Sequence, residues 1–187
     1  VDRLNNEKTP FDDKVTYHVE YHHLVPGNEC FSKYPNLVTL ANLYGYNINN
    51  PKNGIPLPSY SVKAPMTDEE KEALGKYIMK KTKRQLHRGQ HKYNFEPSEL
   101  EQGAAMMNDY ETSIDMYLSA LNDRYQGILS EGCFKEKTEE QMKNDAENFK
   151  KDMDLLCDKV RKKVQVFSND PQSKDAFYVS KAAALYK

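Results

Sequence analysis

From Val15 to His22 the chain alternates. Val15, Tyr17, Val19 and Tyr21 fall on one face, and Thr16, His18, Glu20 and His22 on the other. A period of two in β-branched and aromatic residues predicts a strand. Pro26-Gly27-Asn28 then predicts a turn. Leu37, Leu40, Ala41 and Tyr44 recur at helical spacing, so a helix is expected over Asn36–Tyr44, closed by Gly45. The stretch "NINNPKNG", Asn47 to Gly54, reads as a turn-rich loop. "IPLP", Ile55 to Pro58, reads as a short extended piece whose prolines suit a sheet edge.

The second half of the pattern is helical. Thr67 before Asp68-Glu69-Glu70 is a capping-box signature. The helix it opens is expected to run towards Leu86, acidic at its start and basic at its end, as the helix dipole favours. Gly89 interrupts. Pro97-Ser98 opens a long helix, expected from about Glu99 to Ser130, with a mostly apolar stripe at Met106, Asp109, Tyr110, Ile114, Tyr117, Leu118 and Leu121. Gly132 breaks it. Thr138 with Gln141 opens another helix to about Val164, lined by Phe149, Met153, Leu156 and Val160. These stripes suit packing of the two helices as an antiparallel hairpin. Val164–Phe167 reads as a short strand, and the tail "FYVSKAAALYK" fits no single element.

The expected organisation is a polar, loose lead-in over 1–14, a motif-bearing core over 15–97, and a helical extension over 98–187 packed on that core. The fold class is α+β. The first half alone offers too little apolar surface to fold by itself, so one folded unit is expected.

Length and composition exclude several classes. The chain has 187 residues. No apolar run nears the roughly 20 residues that span a bilayer, so no membrane partner is expected, and no signal-peptide pattern opens the chain. It begins with Val1, so an excised piece of something longer is expected. Three widely spaced cysteines, Cys30, Cys133 and Cys157, argue against a disulfide framework or a thiolate zinc site. Cys30 is expected to be buried and inert.

The formal net charge is −1, but it divides unevenly. Val1–Lys92 carries 14 basic and 10 acidic residues, and Tyr93–Lys187 carries 13 and 18. Lys76–Lys92 holds seven Lys or Arg and no acid. Such a run suits a polyanion, although a solvated helix face has the same appearance. All five histidines lie in the first half: His18, His22, His23, His87 and His91.

His22 and His23 are adjacent at a strand end. His87 and His91 are four apart, a spacing that on a helix lets two imidazoles share a metal; Gly89 between them allows instead that they bracket a helix start. A histidine bound to metal is held neutral and fixed, while a free neighbour with a pKa near 6.5 can move protons at cellular pH. Adjacency therefore separates a binding imidazole from a reacting one. A metal held by such residues can stabilise developing charge and help a leaving oxygen.

Three blocks in order, "HHLVPGN" (His22–Asn28), "NINNPKNGIPLP" (Asn47–Pro58) and "LHRGQHKY" (Leu86–Tyr93), resemble the HNH, or ββα-metal, nuclease superfamily. The nearest subgroup is that with an Ala-His-His signature, found in bacterial polymorphic toxins. The order also resembles that of the colicin-type DNases. The resemblance covers about Val15 to Tyr93, with Tyr21 standing where the subgroup has a small residue.

The resemblance implies a small ββα-metal motif holding one divalent ion: zinc, nickel, magnesium or manganese. It implies His22 and His87 as metal ligands, and His91 as a third ligand or a phosphate contact. His23 would be the general base. Asn53 would hold the loop that aims His23, although it also suits a left-handed turn position before Gly54. Glu20 would orient a ligand or a basic side chain, or be an ordinary exposed strand acid. His18 would be a surface or supporting residue. Lys80, Lys81, Lys83, Arg84, Arg88 and Lys92 would contact phosphates, which position nucleic acid without reading sequence. The implied activity is a DNA endonuclease of low sequence specificity. The implied setting is an effector delivered into the cytoplasm of a target bacterium and neutralised by an immunity protein. The rival readings are an RNase using the same residues and a non-catalytic zinc module.

Overall fold

The computed structural model describes residue 4 and residues 8–97, 109–130 and 137–186. The fold is α+β. In chain order the main elements are β1 (Val15–His23), α1 (Pro35–Leu43), β2 (Gly54–Val62), α2 (Asp68–Thr82), α3 (Tyr110–Ser130), α4 (Glu139–Gln165) and α5 (Lys181–Ala184). The two strands form one antiparallel two-stranded sheet. The chain divides into two compact units, neither of them continuous: Val1–His22, Ile55–Tyr110 and Lys162–Lys187 in the first, His23–Gly54 and Glu111–Arg161 in the second.

The first unit's core joins the sheet, α2 and the C-terminal segment. Val15 and Tyr17 from β1, Tyr60 from β2, and Leu74, Ile78 and Met79 from α2 pack with Leu86, Phe167, Tyr178 and Ala183. Leu74 and Ile78 are fully buried, and each such side chain stabilises the fold by about 1.5–3 kcal/mol. The lead-in is not loose where it is described. Leu4 joins this core, Phe11 meets the edge of Tyr77, the Thr9 hydroxyl pairs with the Tyr17 hydroxyl at 2.8 Å, and Lys14 pairs with Glu70.

α2 starts as its sequence predicts. The Thr67 hydroxyl accepts from the Glu70 amide, and the Glu70 carboxylate accepts from the Thr67 amide. It ends four residues earlier than expected, because Lys83 adopts φ +56° and turns the chain out of the helix.

β2 is longer than the expected "IPLP" piece. Its prolines are tolerated because β2 has an open edge. The Pro58 carbonyl faces that edge, where it accepts from the His87 amide at 2.9 Å. A strand residue's N and O face the same side, so the N–H that Pro58 lacks costs β1 no bond. In the region expected to be a strand after α4, the helix runs on to Gln165 and tightens into a 3₁₀ turn, Val166–Ser168. The amides of Asn169 and Asp170 both close onto the Val166 carbonyl, which leaves no extended backbone there.

In the second unit much of each predicted helical stripe is buried. Ile114 and Leu118 of α3 are buried, as are Phe149, Met153, Leu156 and Val160 of α4. The Tyr125 hydroxyl donates to Asp152 at 2.7 Å, and its ring meets Phe149 edge-on at 5.2 Å. α4 carries its predicted capping pair, Thr138 with Gln141. α1 lies one residue from its expected bounds and buries Leu37, Leu40 and Ala41. The expected start of the long helix near Glu99, together with Met106, Gly132 and Cys133, lies outside the described residues.

Candidate functional site

β1 changes its buried face partway along. Val15 and Tyr17 are covered, Val19 and Tyr21 are exposed, and His22 is buried again on the opposite face. The alternation itself persists, so His18, Glu20 and His22 share a side, as the sequence indicates. His22 is only 1 % exposed.

The ring of His22 lies edge-on to three others: His87 at 5.0 Å between centroids, His91 at 4.7 Å and Tyr110 at 4.8 Å. His87 and His91 stack on each other at 5.6 Å, 19° from parallel. One nitrogen from each of His22, His87 and His91 falls in a group whose members all lie within 4.8 Å of one another.

His87 and His91 do not share a helix. Lys83 ends α2, and Gly89 between them sits at φ +92°, a conformation that helices exclude. Their loop is instead tied down residue by residue. The His87 amide donates to Pro58 and the Ser59 hydroxyl donates to the His87 carbonyl, both on β2. From β1, the Glu20 carboxylate accepts from His87 Nδ1 at 2.8 Å. His91 Nδ1 lies 2.8 Å from the Val179 carbonyl. A carbonyl and an ionised carboxylate can only accept, so a proton on each Nδ1 satisfies both contacts.

Glu20 is bound twice. Its second oxygen accepts from His18 Nε2 at 2.9 Å. The hydrogen bond from His18, and to a lesser degree the one from His87, holds the Glu20 carboxyl below the usual carboxylate range against the opposing effect of burial. His18 was a weak candidate in the sequence. Its place, two residues before Glu20 on one strand face, is the signal that could have found it.

Three imidazoles in one small group suit a borderline divalent ion such as zinc, nickel or cobalt. Among the described residues no fourth His, Cys, Asp or Glu joins the three. A closed structural zinc site uses four protein ligands, whereas catalytic zinc sites use three with an open fourth position.

His23 and Asn53 both belong to the second unit. His23 is exposed at the end of β1. Asn53 is fully buried. Its Oδ1 accepts from the Val25 amide at 2.7 Å, and its Nδ2 donates to the carbonyls of Val25 at 2.9 Å and Ile48 at 2.8 Å. Its own carbonyl accepts from the Leu24 amide at 2.8 Å. The two residues that follow His23 are thus clamped to Asn53. Asn53 is not left-handed, contrary to the turn alternative. It ends a 3₁₀ turn, Pro51–Asn53, whose N-cap is the Asn50 side chain. Arg161 braces the same turn through the carbonyls of Lys52 and Gly54.

The basic candidates Lys80, Lys81, Lys83, Arg84, Arg88 and Lys92 are all exposed, along the end of α2 and the loop that follows. The Arg88 guanidinium lies 4.8 Å from the Tyr60 ring centroid. Sequence reasoning missed Tyr110, which reads as a helix core residue yet packs on His22 and His91, and Gln85 and Val179, which carry no motif.

A family model described as "a nuclease family of the HNH/ENDO VII superfamily with conserved AHH" matches residues 4–163. No curated protein and no solved structure matches the chain. The match reaches well past the three motif blocks, so the likeness is not confined to Val15–Tyr93. Tyr21, at the position of the family's alanine, is 74 % exposed, so its ring displaces nothing.

Proposed function

We propose, for a chain that belongs to the AHH nuclease family of the HNH/ENDO VII superfamily, that it is a metal-dependent endonuclease cutting DNA with little regard to sequence. Family membership makes it a nuclease with a nucleic-acid substrate, and nucleases of this superfamily depend on a metal. The observation that carries the rest is the cluster of His22, His87 and His91, with Glu20 behind one of its rings.

In this reading His22, His87 and His91 hold one divalent ion. When bound, that ion supplies Lewis-acid stabilisation of charge on the phosphate and the leaving oxygen. Glu20 orients His87, with His18 behind it. His23, next in the chain to His22, takes the proton from the attacking water. Asn53 fixes the backbone that follows His23. The exposed basic run from Lys80 to Lys92 contacts phosphates, which favours grip without sequence reading.

The effector role rests on the likeness of the three motif blocks to toxin nucleases. The domain acts in the cytoplasm of a target bacterium, and an immunity protein blocks it. The motif-bearing core spans 15–97 and the helical extension 98–187.

The test incubates the purified chain with supercoiled plasmid and with RNA, in chelator or with added zinc, nickel, manganese or magnesium. Plasmid nicking that stops in chelator and returns with metal is expected. Cleavage of RNA alone would overturn the substrate, and undiminished cleavage in chelator would overturn the metal. Growth arrest on cytoplasmic expression in a bacterium, relieved by His23→Ala, is expected for the effector role.

A further inference from the structure

The family match ends at residue 163, yet the candidate centre draws on residues beyond it. Four consecutive residues of the C-terminal segment, Phe177–Ser180, run against the loop that carries His87 and His91. Five hydrogen bonds join them. Gln85 donates to the Phe177 carbonyl at 2.6 Å and accepts from the Val179 amide at 2.8 Å. The Tyr93 hydroxyl donates to the Tyr178 carbonyl at 3.0 Å, and the Ser180 hydroxyl to the Leu86 carbonyl at 3.1 Å. The fifth is His91 Nδ1 to the Val179 carbonyl.

We propose that Phe177–Ser180 is a positioning strap for His91, fixing its ring in the Nδ1–H tautomer so that Nε2 is the nitrogen it offers a metal. The ligand half of this inference rests on the metal reading above; the tautomer half does not. A neutral histidine free in water carries its proton mainly on Nε2. A carbonyl partner at Nδ1 reverses that preference, because it can only accept.

The strap is itself held firmly. Gln85 is buried, and its amide makes a third bond, to the Val164 carbonyl at 3.0 Å. Tyr178 is buried with its ring near Phe167, and its one hydroxyl proton goes to the Ser173 carbonyl at 2.8 Å or is shared with the Pro171 carbonyl at 3.1 Å. The Phe177 amide donates to the Lys163 carbonyl at 3.0 Å. Val179, the residue bonded to His91, is fully buried.

The rings of the two loop histidines therefore have separate partners, although the strap also bonds Gln85 and Leu86 beside His87. β1 and β2 hold His87 through Glu20, Pro58 and Ser59. The strap holds His91. A defect in the strap should disturb one ring and spare the other, which a general loss of structure would not do.

The experiment uses the full chain, metal-free, with ¹⁵N-labelled histidine. Long-range proton–nitrogen spectra above the histidine titration range are assigned with His87→Ala and His91→Ala. His91 should carry its proton on Nδ1. Gln85→Leu removes three bonds and should shift His91 towards the Nε2–H form while the His87 pattern stays. Cobalt titrations of the same proteins should show affinity about 10-fold weaker in Gln85→Leu, at the low end of the loss for partners of metal ligands. Tyr93→Phe removes one bond only and should move both readouts in the same direction by less; it decides the matter should Gln85→Leu fail to fold. An Nε2–H tautomer in the unaltered chain would overturn the proposal. So would equal changes at His87 and His91, or no change in a folded Gln85→Leu. If the unaltered chain shows the Nδ1–H tautomer but binds no cobalt, the metal reading falls and takes the ligand half with it, while the strap's hold on the ring stands.

Discussion

Replacing Asn53 with alanine should destabilise the protein by about 3–5 kcal/mol. The side chain is fully buried and serves three backbone groups at 2.7–2.9 Å: the Val25 amide, the Val25 carbonyl and the Ile48 carbonyl. Alanine leaves all three without this partner. A buried polar group stripped of its bond costs about 1–3 kcal/mol. Val25 is fully buried, so its amide and carbonyl carry that cost in full. Ile48 is half-buried, and water can recover part of the third bond. The thiol of Cys157, 3.4 Å from Oδ1, adds little. The loss is a large share of the roughly 5–15 kcal/mol that holds a domain together. At about 2–4 °C per kcal/mol for a chain of this size, the melting temperature should fall by about 10 °C. Asn53→Asp should be no better, because a carboxylate would face the two carbonyl oxygens that the amide nitrogen now serves. Urea unfolding followed by far-ultraviolet circular dichroism measures the difference. A loss under about 1 kcal/mol would refute the reasoning, since the clamp would then be dispensable.

His23→Ala should lower plasmid cleavage by about 10²- to 10⁴-fold, the usual cost of a lost general base, with metal affinity retained in calorimetry; loss of metal binding would instead exchange the roles of His22 and His23. Neutralising Lys80, Lys81, Lys83 and Arg84 together should flatten the salt dependence of DNA binding by about 3 to 4 in log–log slope, near 0.9 per phosphate contact. An unchanged slope would make the run a solvated face. Burial pushes the Cys30 thiol up to about 12 and the Cys157 thiol up to about 11. Below about one molecule in a thousand is then a thiolate at pH 8, and iodoacetamide should label neither until the protein unfolds, as peptide mapping would show.

Local chemistry was legible in the sequence, and distant pairing was not. The capping pairs at Thr67 and Thr138 lie within one helical turn, so spacing alone reveals them. Glu20 and His22 share a strand face because they are two apart. The histidines announce themselves by residue type, but the arrangement of His87 and His91 did not follow from their spacing. A left-handed Lys83, a positive φ at Gly89 and bonds to a strand edge override the helix that a four-residue interval suggests. Val179 was beyond reach, because the group that meets His91 is a backbone carbonyl that any residue would carry. The division into two discontinuous units follows from contacts between distant segments, and no local period encodes it.

That strap also sets a clock. His91 and the carbonyl that holds it are 88 residues apart. A ribosome adding about 5–20 residues per second takes roughly 4–18 s to cover that distance. For those seconds the loop with two of the three histidines has left the peptidyl-transferase centre, while the partner that sets one of their rings does not yet exist. The centre is therefore finished late in synthesis, and a nascent chain that stalls before Val179 carries its histidines without the strap.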